Sequence, residues 1–224
     1  MKNVKAIVFD VGNTLISTKH GLSMSAQLVR DLNTLRCKGY ILGCSTLRSE
    51  EMIAPILAQF QFDFLVLMNG SLVKIGDDII CSKPLDMSSI QAIEEQANRA
   101  DVEVIEYAFD GHVYALELIA GKDSGIDIDK YESYMWEHSG NIDITAKGIT
   151  KVSGLESVCQ QLDVMLDQVV AFGDGYNDVD LFKAVGFSVA MGGAPNELRK
   201  VASMDTLLAE ADGISVALRK MELL

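Results

Sequence analysis

The sequence predicts a doubly wound α/β fold, a largely parallel sheet with helices on both faces, interrupted by a smaller α+β segment. Three observations carry this. Short apolar runs rich in β-branched residues alternate with amphipathic helical patterns up to about residue 70, hairpin-like patterns replace them in the middle of the chain, and the alternation resumes near residue 150. The first run, Val4 to Phe9, is nearly unbroken, as expected of a strand covered on both faces in a parallel sheet. Tyr40–Cys44, Phe64–Met68, Val169–Phe172 and Phe187–Met191 read the same way. Between the early strands, Ala26, Val29, Leu32 and Leu35 recur at helical spacing and stop before Gly39; Met52, Ile53, Ile56, Leu57 and Phe60 form a second stripe. Ser71–Leu85 then reads as a hairpin turning at Gly76-Asp77-Asp78 and closed by Pro84. Asp86–Ala100 has the pattern of an amphipathic helix, and the strand-like VEVIEYA and HVYALEL flank a turn at Asp110-Gly111. A second helix is expected over roughly Asp127–His138, a strand over Asn141–Thr145, and a helix from about Thr150 where the parallel pattern resumes. The expected organisation is a core built from residues 1–84 and 147–224, with residues 85–146 inserted as an α+β unit.

With 224 residues, 49% of them hydrophobic, the chain is long enough to bury a full core and an insert. A net charge of −13 argues against nucleic acid or an anionic membrane as partner, since both demand clustered Lys and Arg. Any phosphate group must therefore be held by a local site. No apolar run reaches the ~18 residues of a membrane span, and MKNVKAIVFD enters a strand without the features of a signal peptide, so a cytoplasmic location is expected. The four cysteines, Cys37, Cys44, Cys81 and Cys159, show no CxxC spacing and read as buried reduced thiols. Nothing in the sequence specifies an oligomeric state.

In open α/β sheets, sites form at the carboxyl ends of strands near the point where strand order reverses. Four strands here end in polar residues: Asp10, Ser45-Thr46, Asn69-Gly70, and the run FGDGYND with Asp174 and Asp178; Lys151 opens the preceding helix. Taken singly, each has a plain reading, Asp10 and Thr46 as caps and Lys151 as a surface charge. Together they read as a site. Asp10, Asp174 and Asp178 offer the hard oxygen ligands that Mg²⁺ takes, and a hydroxyl and an ammonium beside them suit a phosphoryl group. An oxygen of Asp10 could attack phosphorus to form an aspartyl-phosphate that water hydrolyses, with Lys151 and Thr46 countering the charge.

In that order, VFDVGNTL, CSTLR, GITK and FGDGYNDVDLF resemble the signatures of the haloacid dehalogenase-like (HAD) hydrolase superfamily, whose core is a Rossmann-like doubly wound sheet. The stretches LMNGSLV, NIDITAKGITK and VAMGGAPNELRKVA, with the insert between the third strand and the lysine, resemble the Cof-type sugar-phosphate phosphatases. There the insert is a cap that closes over the site and selects the substrate. The resemblance implies a Mg²⁺-dependent phosphatase for a small phosphorylated metabolite. It makes Asp10 the nucleophile and a metal ligand, the carbonyl of Gly12 a second ligand, Asp174 the main metal acid and Asp178 another. Thr46 becomes the phosphate-binding hydroxyl and Lys151, in preference to Lys147, the charge-balancing lysine. Asn177 falls close to the phosphate, and Arg48 and Asn69 at the mouth of the site.

Two positions depart from the family pattern. Leu47 stands where the family's TGR has glycine, so the phosphate pocket is expected to be narrowed or reshaped. Gly12 stands where its phosphatases carry the aspartate that protonates the leaving alcohol and then activates water. General acid-base help is worth ~10²–10⁴ in rate, so Gly12 predicts an enzyme slowed or restricted to good leaving groups. A phosphate-ligand binder without turnover and a dehalogenase, whose halide needs no acid, are the alternatives. In the insert, Tyr107, His112, Tyr114, Glu117 and Trp136 are candidates for facing the core, against the simpler reading of Tyr114 and Trp136 as the insert's own core and His112 as a turn residue. The hinges are expected near Leu85 and Lys147, and the last apolar residues, Ile214, Val216, Leu218 and Leu223, are expected to pack on the sheet.

Overall fold

The apolar runs of the core pair side by side. The computed structural model describes residues 3–19 and 21–224. Its first half contains β1 (Ala6–Phe9), α1 (Ala26–Cys37), β2 (Ile41–Ser45), α2 (Glu50–Leu57), β3 (Phe64–Leu67), β4 (Leu72–Ile75) and β5 (Asp78–Ser82). Then come α3 (Met87–Ala100), β6 (Val104–Phe109), β7 (His112–Leu118), β8 (Glu132–Met135) and β9 (Ile142–Thr145). The chain closes with α4 (Lys151–Leu162), β10 (Val169–Gly173), α5 (Val179–Ala184), β11 (Phe187–Ala190), α6 (Asn196–Val201), β12 (Met204–Asp205) and α7 (Gly213–Lys220).

Strands β12-β11-β10-β1-β2-β3-β4-β5 form one sheet, parallel from β12 to β3 and continued by antiparallel β4 and β5. Successive strands run outward from β1 through β2 to β3, then the chain returns to the other side of β1 as β10. The strand order therefore reverses between β1 and β10, and a crevice opens there at their carboxyl ends. Both faces are covered. Ile7, Phe9, Leu42 and Phe172 pack with Leu28, Leu32 and Leu35 of α1 and with Ile214 and Leu218 of α7 on one side. Val8, Val66 and Ala171 pack with Leu155 and Val158 of α4 and Leu181 and Phe182 of α5 on the other. Burying each such Leu, Ile or Phe is worth about 1.5–3 kcal/mol. The closing apolar residues do pack inward, with Leu223 1% exposed. Among the described residues no helix is long and apolar enough to cross a membrane. Cys44 and Cys159 are buried, Cys81 is half-buried, and Cys37 is exposed at the end of α1, which corrects the expectation that all four are buried.

The middle segment builds a second, antiparallel sheet in the order β6-β7-β9-β8, with α3 on its outer face. Leu116, Leu118, Ile142 and Ile144 meet Ile90 and Ile93 of α3. The two-residue period of a strand therefore turns Glu117 and Asp143 to the opposite face, where register pairs them directly across β7 and β9. The helix expected over Asp127–His138 does not form; Glu132–Met135 is a strand instead, pairing with β9. The helical spacing of Ile128, Tyr131 and Met135 gives way to the Tyr and Trp content of the segment and to the open edge of β9, which needs a partner. Tyr131 still packs inward against the insert's own core, whereas Met135 is exposed.

The start of α4 is seated on the loop after β3. Gly70 has φ +102°, and a Cβ there would lie 2.1 Å from the Thr150 carbonyl oxygen; Gly154 lets the helix approach, since its own Cβ would meet Gly70 Cα at 2.9 Å. Thr150 caps α4 through a reciprocal pair with Ser153, fixing where Lys151 begins. Gly70→Ala is expected to lower stability by roughly 3 kcal/mol or more, combining backbone strain with a backbone clash. Urea unfolding measures this, and a loss within the ~0.5 kcal/mol typical of surface substitutions would contradict the packing.

Candidate active site

Asp10 leaves the end of β1 with its backbone N–H bonded to the Phe172 carbonyl of β10 at 2.9 Å, so its side chain emerges in the crevice between the two strands. The turn that follows is held by Leu15 and Ile16, whose N–H groups bond to the carbonyls of Asp10 and Val11 at 3.3 and 3.1 Å. Asn13 takes φ +50° within it, and its side-chain oxygen accepts from the Thr18 hydroxyl at 2.7 Å. Thr14 is buried and donates to Asp174 Oδ1 at 3.3 Å, tying this turn to the one after β10.

That second turn is shaped around Asp178. Its Oδ2 accepts from the backbone N–H groups of Asp174 and Gly175 at 3.1 and 3.0 Å. Gly173 is required by this approach, because a Cβ there would lie 2.4 Å from the same oxygen. The other oxygen of Asp178 meets Lys151 Nζ at 2.7 Å, and Lys151 also donates to Asp10 Oδ1 at 2.6 Å. Lys151 and Asp178 are both 0% exposed. Burial alone would strip the lysine of its charge, but the Asp10 and Asp178 carboxylates outweigh it and hold the ammonium above its ordinary range.

One carboxyl oxygen from each of Asp10, Asp174 and Asp178 lies within 4.8 Å of the others. Three acids thus face a single ammonium. Burial first, then the charges of Asp10 and Asp178, push the Asp174 carboxyl well above its ordinary value; burial likewise raises Asp178. This surplus negative charge and the all-oxygen donor set are what a hard divalent cation would neutralise, so these residues fit one. Gly12 lines the same cavity, of about 290 Å³, and its Cβ position is open, the nearest atom being Thr18 Cγ2 at 3.8 Å.

The remaining predicted residues converge here. Thr46 lines the cavity with Leu47 and Arg48, and its Oγ1 accepts from the Arg48 N–H at 3.2 Å. Asn69 is fully buried at φ +53°, and its Oδ1 accepts from Asn177 Nδ2 at 2.9 Å. Lys147 is exposed and bonds to the Tyr131 carbonyl at 3.1 Å, outside the site. The insert also reaches in. Tyr107, Glu117 and Trp136 line the cavity from above, whereas His112 is exposed on the far hairpin and Tyr114 is buried in the seam, its hydroxyl 2.9 Å from Ser82 Oγ. Trp136 is therefore not part of the insert's own core, contrary to the simpler reading; its ring meets Gly175 and stands edge-on to Tyr176 at 6.0 Å. A larger adjoining cavity of about 780 Å³ runs past Trp136, Asp174 and Tyr176 to Glu197. The sequence reading passed over Asp143, 1% exposed in β9, which joins the cavity and accepts from Asn69 Nδ2 at 3.4 Å. An acid between Ile142 and Ile144 in a buried strand was the signal available.

A profile describing haloacid dehalogenase-like hydrolases matches residues 7–135 and 123–218. The chain is 25% identical, over 256 aligned positions covering 98% of each partner, to a provisionally named phosphatase of Bacillus subtilis (strain 168). It is also 25% identical to a phosphoglycolate phosphatase of Methanothermobacter thermautotrophicus over 226 positions, 97% of this chain and 98% of that one. Among solved structures, a HAD subclass IIB sugar phosphatase superposes with a TM-score of 0.89 at 20% identity, over 99% of this chain and 100% of the other. A HAD-superfamily phosphatase from Bacteroides thetaiotaomicron gives 0.87 at 19% identity, over 99% and 96%. At that identity the superpositions speak to the fold.

Replacing Lys151 by Met leaves the buried carboxylates without their counter-charge. Such a change is expected to cost about 3–5 kcal/mol at pH 8. At pH 5 the loss shrinks, because the Asp174 and Asp178 carboxyls, already raised by burial, are raised further without the lysine, and their protonation relieves the repulsion. Urea unfolding of both proteins at the two pH values measures it, and a loss independent of pH would contradict the electrostatic origin.

Proposed function

The chain belongs to the haloacid dehalogenase-like hydrolases, in their Cof-type branch, and on that premise we propose that it is a Mg²⁺-dependent phosphoric monoester hydrolase acting on a small phosphorylated metabolite, a sugar phosphate in class, through an aspartyl-phosphate on Asp10. The observation that carries the reading is the cluster of Asp10, Asp174 and Asp178 around buried Lys151 at the switch point of the sheet. The phosphatase names of relatives matched over nearly the whole chain support the same reaction class.

In this reading Lys151 fixes Asp10 by its Oδ1, and the other oxygen, Oδ2, attacks phosphorus. Holding nucleophile and ester in one orientation removes much of the entropic part of the barrier. The Lys151 charge and the Thr46 hydroxyl counter the negative charge on the transferring group. Asp10, the Gly12 carbonyl, Asp174 and Asp178 would hold Mg²⁺, which when bound supplies Lewis-acid polarisation of a phosphoryl oxygen. Asn177 and Arg48 line the mouth where the phosphate and its substituent enter, and Asn69, fully buried and not at the mouth itself, braces Asn177 from behind. Trp136, Tyr107 and Glu117 of the insert cover that mouth and act as a cap that excludes water and contacts the leaving group.

Two outcomes are expected. Phosphate release from p-nitrophenyl phosphate or acetyl phosphate depends on Mg²⁺ and falls to background in Asp10→Asn, a loss of at least ~10⁴ for removal of the nucleophile; no release across these and a sugar-phosphate panel would sink the proposal in favour of a ligand binder. Mg²⁺ also raises the Tm of the wild type, by more at pH 8 than at pH 5, since the ion competes with protons on carboxyls that burial has pushed up. The shift disappears in Asp174→Asn, and an unchanged shift in that variant would remove Asp174 from the metal set.

A further inference from the structure

With Gly at position 12, the nucleophile loop supplies no proton to the oxygen that departs when Asp10 attacks. We propose that Asp143, carried over the site by the cap sheet, is the general acid and base of the reaction: it protonates the leaving-group oxygen and then accepts a proton from the hydrolytic water. This rests on the phosphatase reading of the same site and goes beyond it by assigning the missing proton transfer to a residue of the cap.

Four features single out Asp143. It lines the cavity that also holds Asp10, Gly12 and Thr46, on the cap side, where the leaving group must lie if its phosphoryl group sits against Asp10. Gly12 leaves open the space that a carboxylate on the nucleophile loop would fill. One oxygen of Asp143 is engaged by Asn69 at 3.4 Å, while Oδ1, buried, has no hydrogen-bond partner among the described residues; an unpartnered oxygen in a buried site is costly and marks a place for a proton or a substrate hydroxyl. Through Asn69 and Asn177 its position is tied to the loop bearing Asp174 and Asp178, so cap and core are in register when it faces the cavity.

Its environment also separates it from the neighbouring acid. Glu117, directly opposite in the sheet, accepts from the Tyr107 hydroxyl at 2.6 Å and from Asn141 Nδ2 at 2.8 Å, so both of its oxygens are engaged. Asp143 faces Glu117 on β7, Tyr107 on β6, Tyr134 on β8 and the more distant Lys151 on α4. Burial first, then the Glu117 charge, push its carboxyl up to about 7, against the opposing influence of Trp136, Asn69 and the Lys151 charge. Near neutral pH it is thus present in both forms. Asp143, with its free oxygen, is thus the acid of the pair placed to give up a proton, while both oxygens of Glu117 are held by hydrogen bonds.

The proton and electron balance closes. Asp10 Oδ2 forms a bond to phosphorus, the bond from phosphorus to the ester oxygen breaks with its electron pair on oxygen, and that oxygen takes the Asp143 proton to leave as an alcohol. Water then attacks the aspartyl-phosphate, giving one proton to the Asp143 carboxylate while the bond from phosphorus to Asp10 breaks. Asp10 returns as a carboxylate, Asp143 as an acid, and phosphate keeps the remaining water hydrogen.

The test compares kcat/KM of wild type and Asp143→Asn for p-nitrophenyl, phenyl and ethyl phosphate, whose leaving groups need increasing protonation. In Asp143→Asn the value is expected to fall about 10²–10⁴-fold for ethyl phosphate, less for phenyl phosphate, and under about 10-fold for p-nitrophenyl phosphate. The wild type loses activity toward ethyl phosphate as pH rises through about 7, and the variant lacks that alkaline limb. Adding Gly12→Asp to Asp143→Asn should recover activity toward ethyl phosphate, which a structural defect in the cap would not permit. Equal losses on all three esters, no loss, or an unaltered pH profile, with Asp10→Asn inactive, would overturn the role of Asp143 alone. Absence of release from any ester by the wild type would overturn the phosphatase reading and this assignment together.

Discussion

Three carboxylates gathered within 4.8 Å repel one another, and the fold tolerates them because the Lys151 ammonium, buried completely, bonds to Asp10 and Asp178 at 2.6 and 2.7 Å. The start of α4 and the turn around Asp178 serve that contact. Asp10 and Asp178 come from adjacent strand ends on either side of the switch point, and Lys151 from the first turn of α4, far from both in sequence. Placing the ammonium to within hydrogen-bonding distance of both acids requires the start of α4 to be fixed, which Thr150, Ser153 and the close seat on Gly70 achieve. Removing one charge from such a cluster costs far more than the cluster contributes as a whole. The arrangement is therefore better understood as a device that gathers three acids in one place than as a source of stability. The remaining excess of negative charge is the physical reason the site suits a cation.

Much of this core was legible in the sequence because parallel strands carry their signals locally. Buried runs ended in Asp10, Thr46, Asn69 and Asp174, and a strand end at a switch point is where polar residues have a chemical use. The insert was less legible. Tyr131 and Met135 sit at helical spacing, but the segment forms an edge strand because β9 offers an unpaired row of backbone groups, a demand that no local pattern shows. The same misreading hid the direction of Trp136, since the face it presents follows from strand register. Asp143 escaped notice for a related reason. Its alternation with Ile142 and Ile144 is plain, yet only the packing of the inserted sheet on the core turns the polar face of that strand toward the cavity that Asp10 lines.

Gly12 gains a different meaning once both domains are described. On the nucleophile loop alone it is a missing carboxylate. Across the cavity, Glu117 and Asp143 stand opposite each other in the cap sheet, one with both oxygens engaged and the other with an unpartnered oxygen. The proposed division of labour puts charge and nucleophile on the rigid core and proton transfer on the cap. Cap closure would then both exclude water and deliver the proton, coupling chemistry to a bound substrate.

The chemistry stands or falls on a covalent bond to Asp10. Acid-quenching the enzyme during turnover of acetyl phosphate labelled on phosphorus, then reducing with borohydride, converts an acyl-phosphate at that side chain to an alcohol that peptide mass spectrometry can locate. Label on the wild-type chain and reduction at Asp10, both absent from Asp10→Asn, is the predicted result. Phosphate release with no label on the protein, or label that persists in Asp10→Asn, would contradict it.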